Sequence, residues 1–317
     1  MPTTYIIGHC KPDTDSVVAA MALEYLYQQW PEFGYPHPQA VITDPLNPET
    51  QYLFNKVDLK PPAIITAAKI SDDDQVVLVD HNEASQRLAD LNEQQIVEIV
   101  DHHKVNLNLN QPIFMTFKPW GSSATIVYYL MKKYQVKPPK KLALLMLAAI
   151  LSDTVGFKSA TTVKQDKKFA QELAKIAQVK DLPALTLELF KAKSNLAKLT
   201  DQQLVKNDYK VFDFAKKTLI GQVETVEQGQ ILAKRKTGLL TAMQQVKEQE
   251  QVELLFLIVT DVLKVNSKLL ILSQAEQTVA EQAFAGKTQN QILDIGAKMS
   301  RKKEIAPAIE KTLAQLK

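Results

Sequence analysis

Histidines and aspartates gather in four short groups along the first half of the chain, and these are the side chains that hold divalent metal ions. The first group is Gly8-His9-Cys10-Lys11-Pro12-Asp13-Thr14-Asp15-Ser16, directly after an apolar β-type run. In an extended segment Asp13 and Asp15 face opposite ways and would serve different ions. The second group, Asp80-His81-Asn82-Glu83, and the third, Asp101-His102-His103, each place an aspartate at the end of an apolar run. An unpaired carboxylate buried there costs roughly several kcal/mol unless a cation or hydrogen bonds compensate. The fourth, Ser152-Asp153-Thr154, closes a strongly apolar helix whose C-terminal end repels a carboxylate, so Asp153 needs a positive partner. Each group alone also reads as ordinary loop chemistry: Asp15 or Ser16 capping the next helix, strand-end aspartates starting turns, paired histidines on the surface. Together, His9, His102 and His103 with Asp13, Asp15, Asp80, Asp101 and Asp153 form a mixed nitrogen and oxygen set suited to Mn²⁺, Co²⁺ or Fe²⁺ more than to Mg²⁺ alone. More carboxylates than one ion needs point to two metals about 3.5 to 4 Å apart that share a carboxylate and a water, the arrangement that hydrolyses phosphate esters and anhydrides.

The elements that must position these groups follow from periodicity. Residues 5–8, 40–43, 63–66, 76–79, 97–100 and 113–117 read as strands, and 16–29, 122–134 and 141–151 as helices, the last too rich in Leu, Ala and Met to lie on a surface. Alternation of this kind predicts an α/β domain with a mostly parallel sheet flanked by helices. Helices over 164–179 and 183–190 lead to the polar stretch Lys191-Ala192-Lys193-Ser194-Asn195, taken as a linker. Beyond it, strands at 218–223, 253–260 and 269–272 and helices at 228–248 and 304–316 predict a smaller second α/β domain with a mixed sheet. The expected division is 1–190, a hinge at 191–195, and 196–317.

Composition excludes several classes. At 317 residues the chain holds about two domains of ordinary size. Hydrophobic residues at 45% and charged ones at 23% exclude disorder and collagen-like repeats. A net charge of +3 gives no bulk electrostatic case for nucleic acid, so any basic function is local. The only cysteine, Cys10, allows no internal disulfide and fits a reducing compartment. The longest apolar run, 142–151, falls short of the about 20 residues that span a bilayer, and residues 1–7 show no signal-peptide pattern. A cytoplasmic protein without a membrane association is expected.

His9-x-x-x-Asp13-x-Asp15, then Asp80-His81-Asn82-Glu83, Asp101-His102-His103 and Ser152-Asp153-Thr154, in that order, resemble the DHH phosphoesterase superfamily. Ser300-Arg301-Lys302-Lys303 looks like the second-domain signature of its family II, manganese-dependent inorganic pyrophosphatases, so the resemblance spans essentially the whole chain. It implies a DHH catalytic domain, a DHHA2 substrate domain, and a homodimer. It also implies His9, Asp13 and Asp80 as ligands of one Mn²⁺ or Co²⁺, and Asp15, Asp80, His102 and Asp153 as ligands of a second. Asp80 would be the bridge, His103 would meet the substrate phosphate, and Asp101 would orient a neighbouring imidazole. Lys210, Arg301 and Lys302 match the phosphate-binding cations. The implied reaction is hydrolysis of pyrophosphate by a metal-bridging hydroxide, with additional Mg²⁺ arriving with the substrate and the second domain closing on the first.

Two positions depart from the family pattern: Lys11, where Asn is usual, and Ala160, where Pro usually follows Lys158-Ser159. Neither is a matched ligand, although Lys11 sets a charge beside the metal loop; Lys158 reads as a surface lysine, with an approach to the site as the alternative. A DHH enzyme acting on oligonucleotides or cyclic dinucleotides is the rival; it needs a stacking platform, for which Trp120 is the candidate, while Trp30 reads as helix-end packing. A non-catalytic regulatory module is a second rival, and the chain is too short for the extra nucleotide-sensing segments it would need. His37, between two prolines, reads as a loop residue, and His81 as a possible support for the ligands.

Overall fold

The computed structural model describes residues 1–194 and 196–316. Contacts divide them into two units, Met1–Lys193 and Ser194–Lys317. In the first unit the chain runs β1 (Thr4–Ile7), α1 (Thr14–Gln29), β2 (Pro38–Ile42), α2 (Pro48–Val57), β3 (Ala63–Ile64), β4 (Gln75–Val79), β5 (Ile96–Asp101), β6 (Phe114–Phe117), α3 (Ser123–Lys133), α4 (Lys140–Asp153), α5 (Lys164–Ala177) and α6 (Leu182–Ser194).

Its six strands are all parallel, in the order β3-β2-β1-β4-β5-β6. Strand order reverses at β1, which pairs with β2 on one side and β4 on the other. Open α/β sheets bind ligands beyond the strand C-termini at such a switch point, and His9 and Asp80 follow these two adjacent strands. Residues 76–79 are continuously apolar because both faces of β4 are covered. On one face Leu23, Leu26, Ile126, Met131 and Leu147 of α1, α3 and α4 are fully buried; on the other, Ile7, Leu78 and Ile99 pack under loops carrying Leu88, Leu107 and Leu109. Helix α4 is as interior as its composition predicts, and it continues to Asp153, so that carboxylate is the last helical residue.

Gly8 admits the turn that follows β1. A Cβ there would come within 1.9 Å of Ser16 Oγ, the atom that accepts the His9 N–H at 3.0 Å. The segment expected as a linker is helical through Ser194, where Lys191 and Lys193 sit favourably in the last turn of α6; Asn195 lies outside the described residues.

The second unit contains α7 (Asp201–Val205), β7 (Tyr209–Asp213), β8 (Lys217–Thr225), α8 (Gln228–Gln249), β9 (Leu254–Asp261), β10 (Asn266–Leu270), α9 (Gln274–Phe284), β11 (Ile292–Gly296) and α10 (Ala306–Gln315). The sheet order is β11-β10-β9-β8-β7, with only β8 and β9 parallel, bridged by α8. The mixed sheet is as expected. Five elements were not anticipated: α2, α7, β7, α9 and β11. Strand β7 is an edge strand whose apolar residues are interrupted by Lys210 and Asp213, and β11 is likewise an edge strand with Asp294 and Gly296 in it, so neither carries the unbroken apolar run of β9. For α2 a signal was present: Asn47 caps it, accepting from Thr50 N at 2.8 Å, and Pro48 opens it. The final helix begins at Ala306 rather than Glu304, behind a π-helical turn at Arg301–Ile305.

Candidate metal centre

Three backbone carbonyls set the chemistry of three buried or half-buried imidazoles. His9 Nδ1 lies 2.9 Å from the Cys10 carbonyl, His102 Nδ1 2.9 Å from that of Trp120, and His81 Nδ1 3.0 Å from that of Val79. A carbonyl only accepts, so each Nδ1 carries the proton, and the neutral ring presents its Nε2 lone pair.

Around these rings two sets of ligand atoms converge. His9 Nε2 is 3.7 Å from both Asp13 Oδ1 and Asp80 Oδ2, and the three residues form one candidate metal group. His102 Nε2 is 3.2 Å from Asp80 Oδ1 and 3.4 Å from Asp153 Oδ2, and Asp15, His102 and Asp153 form a second. The two oxygens of Asp80 thus face different histidines, one in each set. Asp153 has in His102 the neighbour able to carry positive charge that its place at the helix end required.

These residues fit a pair of divalent cations. Neighbouring ligands of an ion with bonds of about 2.1 Å are about 3.0 to 3.4 Å apart, close to the separations around Asp80. His102 Nε2 is buried with no hydrogen-bond partner, and unlike the equally unpartnered His81 Nε2 it lies within 3.4 Å of two carboxylates, where a cation would take its lone pair. Thiolates are absent from the set, and the mixture of imidazole and carboxylate suits Mn²⁺ or Co²⁺.

The expectation that Asp13 and Asp15 point apart holds for a different reason from the one anticipated. The segment is not extended: Asp13 is the N-cap of α1, accepting from Ser16 N at 3.0 Å, and Asp15 lies in its first turn. Asp15 turns instead to the start of α3. Its Oδ1 accepts from Ser122 Oγ at 2.7 Å and Ala124 N at 3.0 Å, and its Oδ2 from Ser123 N at 2.6 Å. Ser123 Oγ donates to Asp80 Oδ1 at 2.8 Å. Neither serine was legible as a site residue, because each lies more than 40 positions from the carboxylate it serves.

Asp101 is fully buried at the end of β5 and joins neither main set. Its Oδ1 accepts from His103 Nδ1 at 2.8 Å and His102 N at 2.7 Å, while its Oδ2 accepts from Asn82 Nδ2 at 2.6 Å. This fixes the half-exposed His103 ring and leaves its Nε2 for another partner. His103 also falls with Asp80 and His102 in a third candidate group, but its Nδ1 is 3.9 Å from Asp80, farther than from Asp101. Asn82 additionally ties the following loop, through Lys104 O and Asn106 N.

The predicted cations lie in the second unit. Lys210 is an exposed residue of β7, its ammonium 5.3 Å from the Phe212 ring centre. Arg301 makes a fork to Asp208, at 2.7 Å to its carbonyl and 2.8 Å to its carboxylate, so the start of β7 and the Ser300 turn are joined. Lys302 is exposed in that turn. His37 is an exposed loop residue, Lys11 has its N–H on Asp44, and Trp120 packs edge-on against Tyr129 and Phe169 rather than standing free as a stacking platform.

Crowding shapes the electrostatics. Burial, and next the charge of Asp80, push Asp15 up to about 8. Asp153 is raised well above the carboxylate range, first by burial and then by Asp15 and Asp80. Burial would lower the two histidines, but the carboxylates that face them outweigh it: Asp13 foremost for His9, pushed up to about 9, and Asp80 foremost for His102, pushed up to about 10. His81, buried without a facing carboxylate, falls to about 4 and stays neutral. His103 is raised by its bond to Asp101.

Comparison with known proteins agrees with this geometry. Residues 3–150 match the family model described as "DHH family, N-terminal domain", and 187–312 that described as "DHHA2 domain". The chain is similar to an Archaeoglobus fulgidus protein named "Probable manganese-dependent inorganic pyrophosphatase", 38% identical over 98% of both chains. It is similar also to the "Manganese-dependent inorganic pyrophosphatase" of Methanocaldococcus jannaschii, 36% identical over 97% of this chain and 98% of that one. Among solved structures, a crystal structure titled as a Methanococcus jannaschii "putative family II inorganic pyrophosphatase" matches with a TM-score of 0.61 and 34% identity, covering 98% of this chain and all of the other.

The raised groups predict proton-coupled metal binding. At pH 7 the metal-free cluster holds protons on His9, His102 and the carboxylates that a cation must displace. Mn²⁺ affinity is therefore expected to rise with pH between 6 and 8, with net proton release. Calorimetric titration in buffers of different ionisation heat measures this directly; binding with no proton release would contradict it.

Proposed function

The chain belongs to the manganese-dependent, family II inorganic pyrophosphatases, and from that membership and the geometry of its metal centre we propose that it hydrolyses inorganic pyrophosphate to two orthophosphates. The observation that carries this reading is the pair of ligand sets joined through Asp80. In it, His9, Asp13 and Asp80 hold one Mn²⁺ or Co²⁺ ion, and Asp15, Asp80, His102 and Asp153 hold the other. Bound there, the two ions supply charge to phosphate oxygens and a water acidic enough to be ionised near neutral pH.

The chain's own residues bind, orient and donate. Pyrophosphate offers no apolar surface, so its recognition falls to fixed cations. Arg301, its fork already held by Asp208, offers its charge and remaining N–H groups, and Lys210 and Lys302 give point charges, to the phosphates. The substrate enters as its Mg²⁺ complex, which lowers the charge these side chains must match. His103 is held by Asp101 in the protonated, donating form, suited to a bond, and then a proton, for the oxygen of the departing phosphate. Asp101 and Asn82 act through His103 by fixing its ring.

Oligomeric state and location complete the proposal. Strand β6 ends the first sheet with its outer backbone edge unpaired, and there Phe114 is 72% and Met115 57% exposed. An apolar edge of this kind is the surface on which a second copy would add its own strand, giving a homodimer. No helix among the described residues is long and apolar enough to cross a membrane, and the one thiol, Cys10, is unpaired, in keeping with a cytoplasmic enzyme.

Metal-stripped protein is expected to regain pyrophosphate hydrolysis with Mn²⁺ or Co²⁺ in the presence of Mg²⁺, and to leave oligonucleotides and cyclic dinucleotides intact; the reverse preference would overturn the reading. His103→Gln should lower kcat about 100-fold or more. Because Asp101 raises the His103 pKa, Asp101→Asn should move the alkaline limb of the kcat profile to lower pH. An unmoved limb would remove His103 from the proton-donating role.

Sedimentation of the wild-type protein is expected to give about 71 kDa, twice the chain mass of 35.5 kDa, with Met115→Lys shifting it to the monomer. A wild-type monomer would end the homodimer proposal.

A further inference from the structure

Asp166 belongs to no candidate metal group, yet it is fully buried and accepts hydrogen bonds from three residues. Gly121 N lies 3.0 Å from its Oδ2 and 3.2 Å from its Oδ1, Thr125 Oγ1 donates to Oδ1 at 2.7 Å, and Val163 N donates to Oδ2 at 2.8 Å. Gly121 and Thr125 bracket the start of α3, the segment whose Ser122 Oγ, Ser123 N and Ala124 N hold Asp15 and whose Ser123 Oγ holds Asp80. The fit is close. A Cβ at Gly121 would come within 2.7 Å of Asp166 Oδ2 and within 2.7 Å of Thr154 Cγ2, the residue after Asp153.

We propose that Asp166 is a positioning residue for the metal centre: by fixing Gly121 and Thr125 it sets the α3 N-terminus, and through it the orientation of Asp15 and of the shared ligand Asp80. This rests on the proposed ligand sets. It extends them to a carboxylate that touches neither ion nor substrate.

The chemistry favours an acceptor-only group at this point. A backbone N–H on each side of Asp166 and one hydroxyl point at its two oxygens, and a carboxylate accepts all of them at once. In Asp166→Asn an N–H₂ takes one of the two positions: at the Oδ2 place it faces the Gly121 and Val163 N–H groups, and at the Oδ1 place Thr125 Oγ1 must turn from donor to acceptor, so the charge-assisted hold on the α3 start is weakened. Asp15 has three donors to lose and Asp80 one, and the two side chains contribute to both candidate ions. Outer partners of this kind typically alter metal affinity by about 10- to 100-fold.

The test compares metal-free wild type, Asp166→Asn, Ser123→Ala and Ser122→Ala by calorimetric titration with Mn²⁺, with thermal melting of each metal-free protein alongside. Wild type is expected to bind two ions. Asp166→Asn and Ser123→Ala should weaken both steps, Asp166→Asn by about tenfold or more, because Asp80 serves both sets. Ser122→Ala should weaken mainly the step that uses Asp15. If Asp166→Asn lowers the melting temperature but its folded form binds Mn²⁺ as wild type does, the residue is structural only and the proposal falls. Should Asp166→Asn fail to fold, Thr125→Val removes one of its bonds and decides by the same affinity readout. Wild-type protein that takes up fewer than two ions would instead overturn the functional reading, leaving the two failures distinguishable.

Discussion

Mutual repulsion among Asp13, Asp15, Asp80 and Asp153 is the constraint on which the first unit is organised. Each has a candidate ligand atom within 4.8 Å of those of its own set, and the burial of Asp15 and Asp80 removes the water that would screen them. A buried charge whose partner is missing is costly, whereas the same charge with a cation and well-placed donors is not. The structure supplies donors first. Asp15 meets three at the start of α3, Asp80 one from Ser123, and Asp13 one from Ser16. What donors leave uncompensated appears as the raised proton affinity of Asp15 and Asp153. A site that binds protons this firmly is a site prepared for cations.

The parallel sheet makes the crowding possible. Three neighbouring strands, β1, β4 and β5, deliver His9, Asp80 and Asp101 with its two histidines to one edge at the switch in strand order. Helix α4 brings Asp153 to the same place by its C-terminal end, which no isolated carboxylate would favour. His102 resolves that conflict, 3.4 Å from Asp153 and 3.2 Å from Asp80. Backbone carbonyls fix the Nδ1–H of His9 and His102, so each ring keeps its orientation and has only its Nε2 proton to lose when a cation arrives.

The proposed ligand residues stood out in the sequence because most are aspartates or histidines set against an apolar run. Val76 to Val79 followed by Asp80, and Val97 to Val100 followed by Asp101, state in four residues both the strand and its functional end. The supports were illegible for the opposite reason. Ser122, Ser123 and Asp166 are residue types found in any cap or loop, and their partners lie 107, 43 and 45 positions away along the chain. No local pattern encodes such a pairing; only the closed sheet does. Edge strands β7 and β11 were missed on similar grounds, since one side of each faces no neighbouring strand and polar residues or glycine interrupt the apolar run. Lys210 lies in β7, so the element that carries a proposed phosphate contact was also the least visible.

Asp80 shows how the backbone itself is committed to the centre. Its φ of 63° is left-handed, a conformation that costs most L-residues about 1 kcal/mol and that aspartate tolerates better than a branched residue. The turn is not loose: Asp80 N donates to Val100 O at 3.0 Å, tying it to β5. An extended residue at this point would continue β4 and send its carboxylate to one face of the sheet, as Val79 and Leu78 do. Turning left-handed lifts the side chain off the strand end instead, where one oxygen faces His9 and the other His102. Asp80 thus owes its double-facing position to a backbone state that sheet pairing alone would not choose. That places the strain at the residue whose two oxygens face His9 and His102.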